Sequence, residues 1–297
     1  MGLFNGYMKE GPGVSKNAPE KHRFFLFFEL FGRKFTKLIR LNMMMFVCLL
    51  PLALGIYMSV SINPQIISNG EVFTANISKM PLFIFSGDIV GMAIFVLSIL
   101  LAAPAMAGFT YVIRNFQREE HAWVFSDFKD NFKSNFKQAV ALGFIDALVY
   151  LLMYVAFVFY RFQMPVINPG MAKITPILTT LIIVMSMIYT WMHYYIYVMM
   201  VTFDLKLKDL FRNSLLFAIG KLPLNILITI ICGAIVFFSF YYIAIGAILS
   251  FVITLSLLGY IVVFSVYPTI DSYLIEPVTI HDETDDEERT FSDDREE

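Results

Sequence analysis

Four stretches of this sequence contain no Asp, Glu, Lys or Arg: Leu41 to Gly70, Ile89 to Ile113, Ile174 to Phe203, and Leu222 to Ile270. A helix crossing a hydrocarbon core of about 30 Å needs about 20 mostly apolar residues, because each one advances the helix by ~1.5 Å. These runs, with the apolar stretch that follows Lys137, predict six spanning helices over 41–62, 89–113, 139–160, 174–202, 222–241 and 247–267. The last uncharged run is about twice the length of one span. A turn near Tyr241 to Gly246 is therefore expected to divide it. Pro51 and Pro104 fall inside spans, where neighbouring groups can recover the backbone carbonyls that proline leaves unpaired.

A different periodicity precedes each odd-numbered span. Phe24, Phe27, Phe28, Phe31, Phe35 and Leu38 recur at spacings of three and four, with Arg33, Lys34 and Lys37 between them. Phe125, Phe128, Phe132 and Phe136 do so with Lys129, Lys133 and Lys137, and Leu207, Leu210, Phe211 and Leu215 with Lys208 and Arg212. Helices with one aromatic face and one basic face lie flat at the headgroup boundary. The expected fold is thus an all-α integral membrane protein: six transmembrane helices as three hairpins, each preceded by a cytoplasmic amphipathic surface helix. In that fold Phe24, Phe28, Phe31, Phe35, Phe128, Phe132, Phe136 and Phe211 face the membrane surface. Aligning Phe132 with Phe211, where Asp130-Asn131-Phe132-Lys133 resembles Asp209-Leu210-Phe211-Arg212, gives a repeat offset of 79 residues.

Composition agrees with this reading. Of 297 residues 58% are apolar and 15% charged, with a mean hydropathy of +0.69. A soluble domain carries roughly 25% charge. The net charge of −2 conceals an asymmetry, since residues 281–297 hold ten acids and two arginines. The chain divides into an N-terminal segment 1–40, a six-helix domain 41–270, and an acidic tail 271–297 expected to be disordered. Seventeen Lys and Arg fall in the segments 1–40, 114–138 and 203–221, against three in the connections on the other side. The excess belongs on the cytoplasmic side, which puts both termini in the cytoplasm and anionic headgroups beside the basic segments. The first apolar run begins too late for a cleavable signal peptide, so the N-terminus is expected to be retained.

Candidate chemistry is sparse. Ionisable groups within hydrocarbon are costly and mark functional sites, and two stand out. Asp146 in the third span and His193 in the fourth both lie about 10 Å from the cytoplasmic end, counted along the helix at ~1.5 Å per residue. The offset of 79 maps Asp146 onto Asn225, a third candidate at the same level. A carboxylate beside an imidazole can relay protons or hold a solute hydroxyl, or it can serve as interhelical glue. Both readings stay open here. Cys48 and Cys232 sit within apolar runs and form no disulfide framework. No nucleotide-binding loop, H-E-x-x-H, G-x-S-x-G or Cys-x-x-Cys occurs. The expected protein is therefore not an enzyme, holds no metal or cofactor, and binds no nucleic acid.

The segments Gly2-Leu3-Phe4, Gly11-Pro12-Gly13-Val14 and Arg23-Phe24-Phe25 through Phe31, Lys34, Phe35 and Leu38 to Asn42 resemble the start of the YesL-like family of bacterial integral membrane proteins. Family genes tend to lie beside those of carbohydrate ABC importers and polysaccharide-degrading enzymes. The resemblance implies a protein of the bacterial cell membrane, working as an accessory component of such an importer with its permease subunits as partners. The intramembrane Asp and His support a reading from another class: a secondary transporter or small channel for a small solute. The resemblance supplies no site residues, and the acidic tail after Pro277 is not a feature of it.

Overall fold

A run of uncharged residues satisfies its backbone most simply as helix, and the chain does so throughout the computed structural model, which describes residues 22–61, 89–171 and 173–275. Among these residues there is no strand. The long elements are α1 (Arg23–Ser61), α2 (Ile89–Gln117), α3 (Val124–Ser134), α4 (Phe136–Val158), α5 (Thr175–Met200), α6 (Leu207–Gly220), α7 (Leu222–Phe240), α8 (Ile243–Leu249) and α9 (Leu255–Ile270). A π turn at Phe159–Gln163 and a last turn at Met164–Ile167 prolong α4. Another π turn at Ser250–Thr254 joins α8 to α9 as one rod. Six helices are long and apolar enough to cross a membrane. The N-terminal segment 1–21, the first connection and the tail beyond Ile275, which includes the acidic stretch, lie outside the described residues.

The first amphipathic stretch differs from expectation. It is no separate element: α1 runs unbroken for 39 residues from Arg23, through the aromatic segment and into the first apolar run. The sequence explains this. Between Arg23 and Leu50 there is no proline to interrupt the hydrogen-bond ladder. The third and fifth apolar helices are each preceded by a distinct short helix, α3 and α6, broken at Asn135 and Lys221. In the structure Phe136 and Leu222 open the equivalent long helices 86 residues apart, not 79. The offset read from the four-residue match therefore does not describe the helix boundaries.

α2 is the central helix. Ala103, Ala105, Ala107, Phe109, Val112, Ile113 and Phe116 are all buried, and α1, α3, α4, α5 and α9 pack around it. The alanines allow close approach, the usual device where hydrophobicity gives helices no reason to prefer each other over lipid. Gly108 brings backbone against backbone, because a Cβ there would lie 2.5 Å from the carbonyl oxygen of Phe128. α3 is thereby pressed onto α2, and Phe128 is buried rather than turned to the membrane surface. Phe125, one turn earlier on α3, is exposed. Phe24, Phe28, Phe35 and Phe136 are also exposed, while Phe31, Phe132 and Phe211 are half-buried against the core.

Polar side chains close the remaining gaps. Asn42, fully buried in α1, donates through Nδ2 to the carbonyls of Ser250 (2.8 Å) and Phe251 (2.7 Å), and its Oδ1 accepts from the Ser256 amide (2.9 Å). The π turn loosens the ladder at just that place, and one asparagine satisfies both its donors and its acceptor. Tyr260 of α9, also fully buried, donates to the Phe27 carbonyl at 3.0 Å. Lys37 donates to the Ala122 carbonyl (3.1 Å) and Gln138 to the Leu205 carbonyl (2.7 Å). These bonds gather the start of α1, the end of α2, the α3 helix and the α5–α6 connection at one end of the bundle.

The Gly108 contact generates a test. Gly108→Ala must displace α3 or α2 and is expected to lower stability by about 1–3 kcal/mol, as overpacking does. Gly233→Ala, where no atom lies within 4 Å of the added Cβ, is the control and should be neutral or slightly stabilising. Thermal unfolding of both variants in one detergent measures the difference; equal midpoints contradict the packing described.

Candidate functional site

The polar side chains of α5 divide between two faces. Residues four apart share a face and residues two apart do not, so Tyr189 and His193 look one way while Trp191 and Tyr195 look the other. The first face meets α4 and the second meets α7. Asp146, on α4, stands opposite the first pair.

Asp146 and His193 are brought together. The Asp146 Oδ1 lies 2.9 Å from His193 Nε2 and accepts a hydrogen bond of 2.6 Å from the Tyr189 hydroxyl. His193 Nδ1 lies 2.8 Å from the carbonyl oxygen of Tyr189, one turn back on the same helix. The proton positions follow from the chemistry of these partners. A carbonyl oxygen only accepts, so Nδ1 carries a hydrogen. An ionised carboxylate also only accepts, so a further proton lies between Nε2 and Oδ1, either as an imidazolium facing a carboxylate or as an imidazole facing a carboxylic acid. In both cases the pair as a whole is neutral. A neutral pair suits an apolar setting, because an isolated charge there is far more costly than a matched one. Aromatic rings enclose the pair: Tyr150 lies 5.3 Å from Tyr189 and 6.4 Å from His193 between centroids, and Tyr197 lies 6.4 Å from His193.

Asn225 is not part of this cluster. It lies three residues past the start of α7, whereas Asp146 lies ten past the start of α4. Along the helices these are depths of about 4.5 and 15 Å at ~1.5 Å per residue. Its Nδ2 donates to the carbonyls of Ala218 (3.0 Å) and Phe217 (3.3 Å), and its Oδ1 accepts from the Tyr195 hydroxyl (2.8 Å). The carbonyls of a helix's last turn have no partner within the helix. Asn225 supplies one for α6, and Tyr195 ties that junction to the second face of α5. Thr229 extends the same face, accepting from Trp191 Nε1 at 2.9 Å and lying 3.0 Å from the Tyr194 hydroxyl.

A cavity of about 460 Å³ opens beside the cluster, walled by α4 and α5 and closed by Thr229 of α7. Tyr150, Met153, Phe157, Ser186, Thr190 and Trp191 line it. Its size falls in the range of ~300–1,000 Å³ typical of small-molecule sites, and its walls are mostly apolar with a few hydroxyls, which is also typical. Tyr150 belongs both to the cavity wall and to the ring of aromatics about His193; its hydroxyl lies 3.3 Å from that of Thr190. No group of three His, Cys, Asp or Glu that could hold a metal occurs among the described residues.

Arg114, which the sequence marks only as part of the cytoplasmic basic excess, is a buried structural charge. The structure buries it, with 7% of its surface exposed, and directs Nη1 to the Val201 carbonyl (2.6 Å) and the Thr202 hydroxyl (3.3 Å). Its guanidinium also lies 4.5 Å from the centre of the Tyr111 ring. Val201 directly follows α5, so the arginine satisfies and complements the negative end of that helix. The signal was available in a weak form: a single arginine closing an apolar run of alanines and aromatics.

Comparison with known proteins finds a partial match to a family of unknown function. The model of a family described as proteins of unknown function, DUF624, matches residues 82–157, a stretch that includes α2, α3, Asp146 and one wall of the cavity. No curated protein and no solved structure matches the chain.

The two faces of α5 make separable predictions. In a double-mutant cycle of Asp146→Asn and His193→Gln, the coupling between the two is expected to be about 0.6–2 kcal/mol, the range of interhelical hydrogen bonds. Asp146→Asn and Asn225→Leu share no partner and should add within ~0.5 kcal/mol. Thermal or denaturant unfolding in detergent reads both; coupling of Asp146 to Asn225 as strong as to His193 contradicts the two-face description.

Proposed function

We propose that this chain is a non-enzymatic, multi-pass protein of the bacterial cell membrane that passes or holds a small neutral solute within the bilayer, as a secondary transporter or small channel does. The observation that carries the reading is the hydrogen-bonded Asp146–His193–Tyr189 cluster beside a cavity between α4 and α5. A carboxylate and an imidazole that share one proton, in surroundings that disfavour any net charge, form a unit that can exchange that proton when a solute or water reaches it. The hydroxyls of Tyr150, Ser186, Thr190 and Thr229 at the cavity suit a solute bearing hydroxyl groups. The excess of Lys and Arg on one side supports a bundle with both termini in the cytoplasm. In this arrangement α3 and α6 lie at the cytoplasmic leaflet with basic side chains toward anionic headgroups, each leading into a transmembrane hairpin, while α1 enters the membrane as one continuous helix.

A second reading rests on the N-terminal resemblance to the YesL-like family. Under it the chain serves as an accessory component of a carbohydrate ABC import system and binds the importer's permease subunits. The two readings separate in the membrane fraction. Co-purification with permease subunits after mild extraction supports the accessory role, and normal carbohydrate uptake after gene deletion opposes it.

The solute-handling reading is tested by reconstitution. The purified protein in liposomes under an imposed pH gradient, assayed against a panel of labelled monosaccharides and polyols, is expected to pass at least one of them. Asp146→Asn should cut that flux by about tenfold or more, as loss of a buried charged partner does. No flux for any member of the panel, or flux unchanged in Asp146→Asn, overturns it.

A further inference from the structure

A second cavity, of about 380 Å³, lies far along the bundle from the Asp146 cluster, where α1 begins and where α2 and α9 end. Its lining is polar and carries charges of both signs: Arg23, Gln117, Arg118, Tyr267 and Asp271 face it. Neither the solute-handling reading nor the accessory reading uses it.

Each group in the cavity has a distinct demand. Arg23 is fixed in place, since its Nη2 donates to the Phe264 carbonyl at 2.9 Å and its guanidinium lies 5.0 Å from the centre of the Phe264 ring. A guanidinium has five N–H donors, and this contact uses one. Arg118 is held through Nε by Glu120 at 2.9 Å. Both therefore present planar donor forks, the geometry suited to a phosphate or carboxylate. Asp271, on the turn that follows α9, asks for the opposite, because its carboxylate only accepts.

An anion alone would meet the Asp271 carboxylate. A cation alone would meet two guanidiniums. We infer that this cavity is a binding site for a zwitterion with an oxyanion and a primary ammonium a few bonds apart. The oxyanion sits against Arg23 and Arg118, and the ammonium donates to Asp271. A quaternary ammonium carries the same charge but has no N–H to give, so Asp271 gains no hydrogen bond from it. The site lies at the ends of helices long enough to cross a membrane, the level at which a phosphatidylethanolamine headgroup is found. Free phosphoethanolamine offers the same chemistry from solution.

Native mass spectrometry of the full chain in mild detergent, with phosphatidylethanolamine, phosphatidylcholine and phosphatidylglycerol of matched acyl chains, tests this. Phosphatidylethanolamine is expected to be retained about tenfold more than either of the others, the effect of a well-made charge-assisted pair. Arg118→Gln, at a half-exposed position, should weaken all phosphate binding. Asp271→Asn should abolish the preference over phosphatidylglycerol while the protein remains folded by its thermal transition. Competition by free phosphoethanolamine assigns the site to the soluble zwitterion; absence of competition with lipid retained assigns it to the headgroup. Equal retention of the three lipids with no phosphoethanolamine binding, or a preference that survives both substitutions, overturns the inference.

Discussion

Hydrocarbon offers no hydrogen bonds, so every polar group that a helix carries into it must find its partner in the protein. This constraint organises the structure more than apolar packing does. Leucine and phenylalanine gain little by choosing a neighbouring helix over lipid, and many of them remain on the outside here. The buried polar residues cannot make that choice. Asn42 fixes α1 to the π turn before α9, Arg114 fixes α2 to the end of α5, and Asn225 fixes α7 to the end of α6. Each serves backbone groups that the local helix geometry leaves unpaired. Together these contacts specify which helices are neighbours.

The Asp146–His193–Tyr189 cluster obeys the same constraint but differs in kind. Asn42, Asn225 and Arg114 bind carbonyls, an amide and hydroxyls, none of which shares a proton with them. Asp146 and His193 bind each other, and the bond exists only while one proton is shared between them. This separates the two faces of α5: the face toward α7 is a network of fixed partners, and the face toward α4 holds a shared proton beside a cavity.

The number of long helices was legible, because run length against bilayer thickness is a nearly sufficient criterion. The meeting of Asp146 and His193 was also legible, since two spans running in opposite directions bring residues at equal depth to the same level. Asn225 was misplaced because its depth was inferred through a repeat offset resting on four residues, and the helix starts obey a different offset. The continuity of α1 was missed because amphipathic periodicity and apolar run length were read as two signals, although nothing in the intervening residues breaks the helix. Phe128 looked like its neighbours in sequence. Its burial depends on Gly108, twenty residues away, whose missing side chain no pattern within α3 reports. The role of Arg114 required knowing which helix end lies beside it.

The proton held between His193 and Asp146 is what distinguishes this site from the fixed ties elsewhere in the bundle. Nitrogen-15 NMR of histidine-labelled protein in lipid bilayers observes it directly. The account predicts a His193 ring hydrogen-bonded at both nitrogens, with Nδ1 protonated and with Asp146→Asn shifting the Nε2 resonance while leaving Nδ1 nearly unchanged. A His193 spectrum that is the same with and without the Asp146 carboxylate would contradict it.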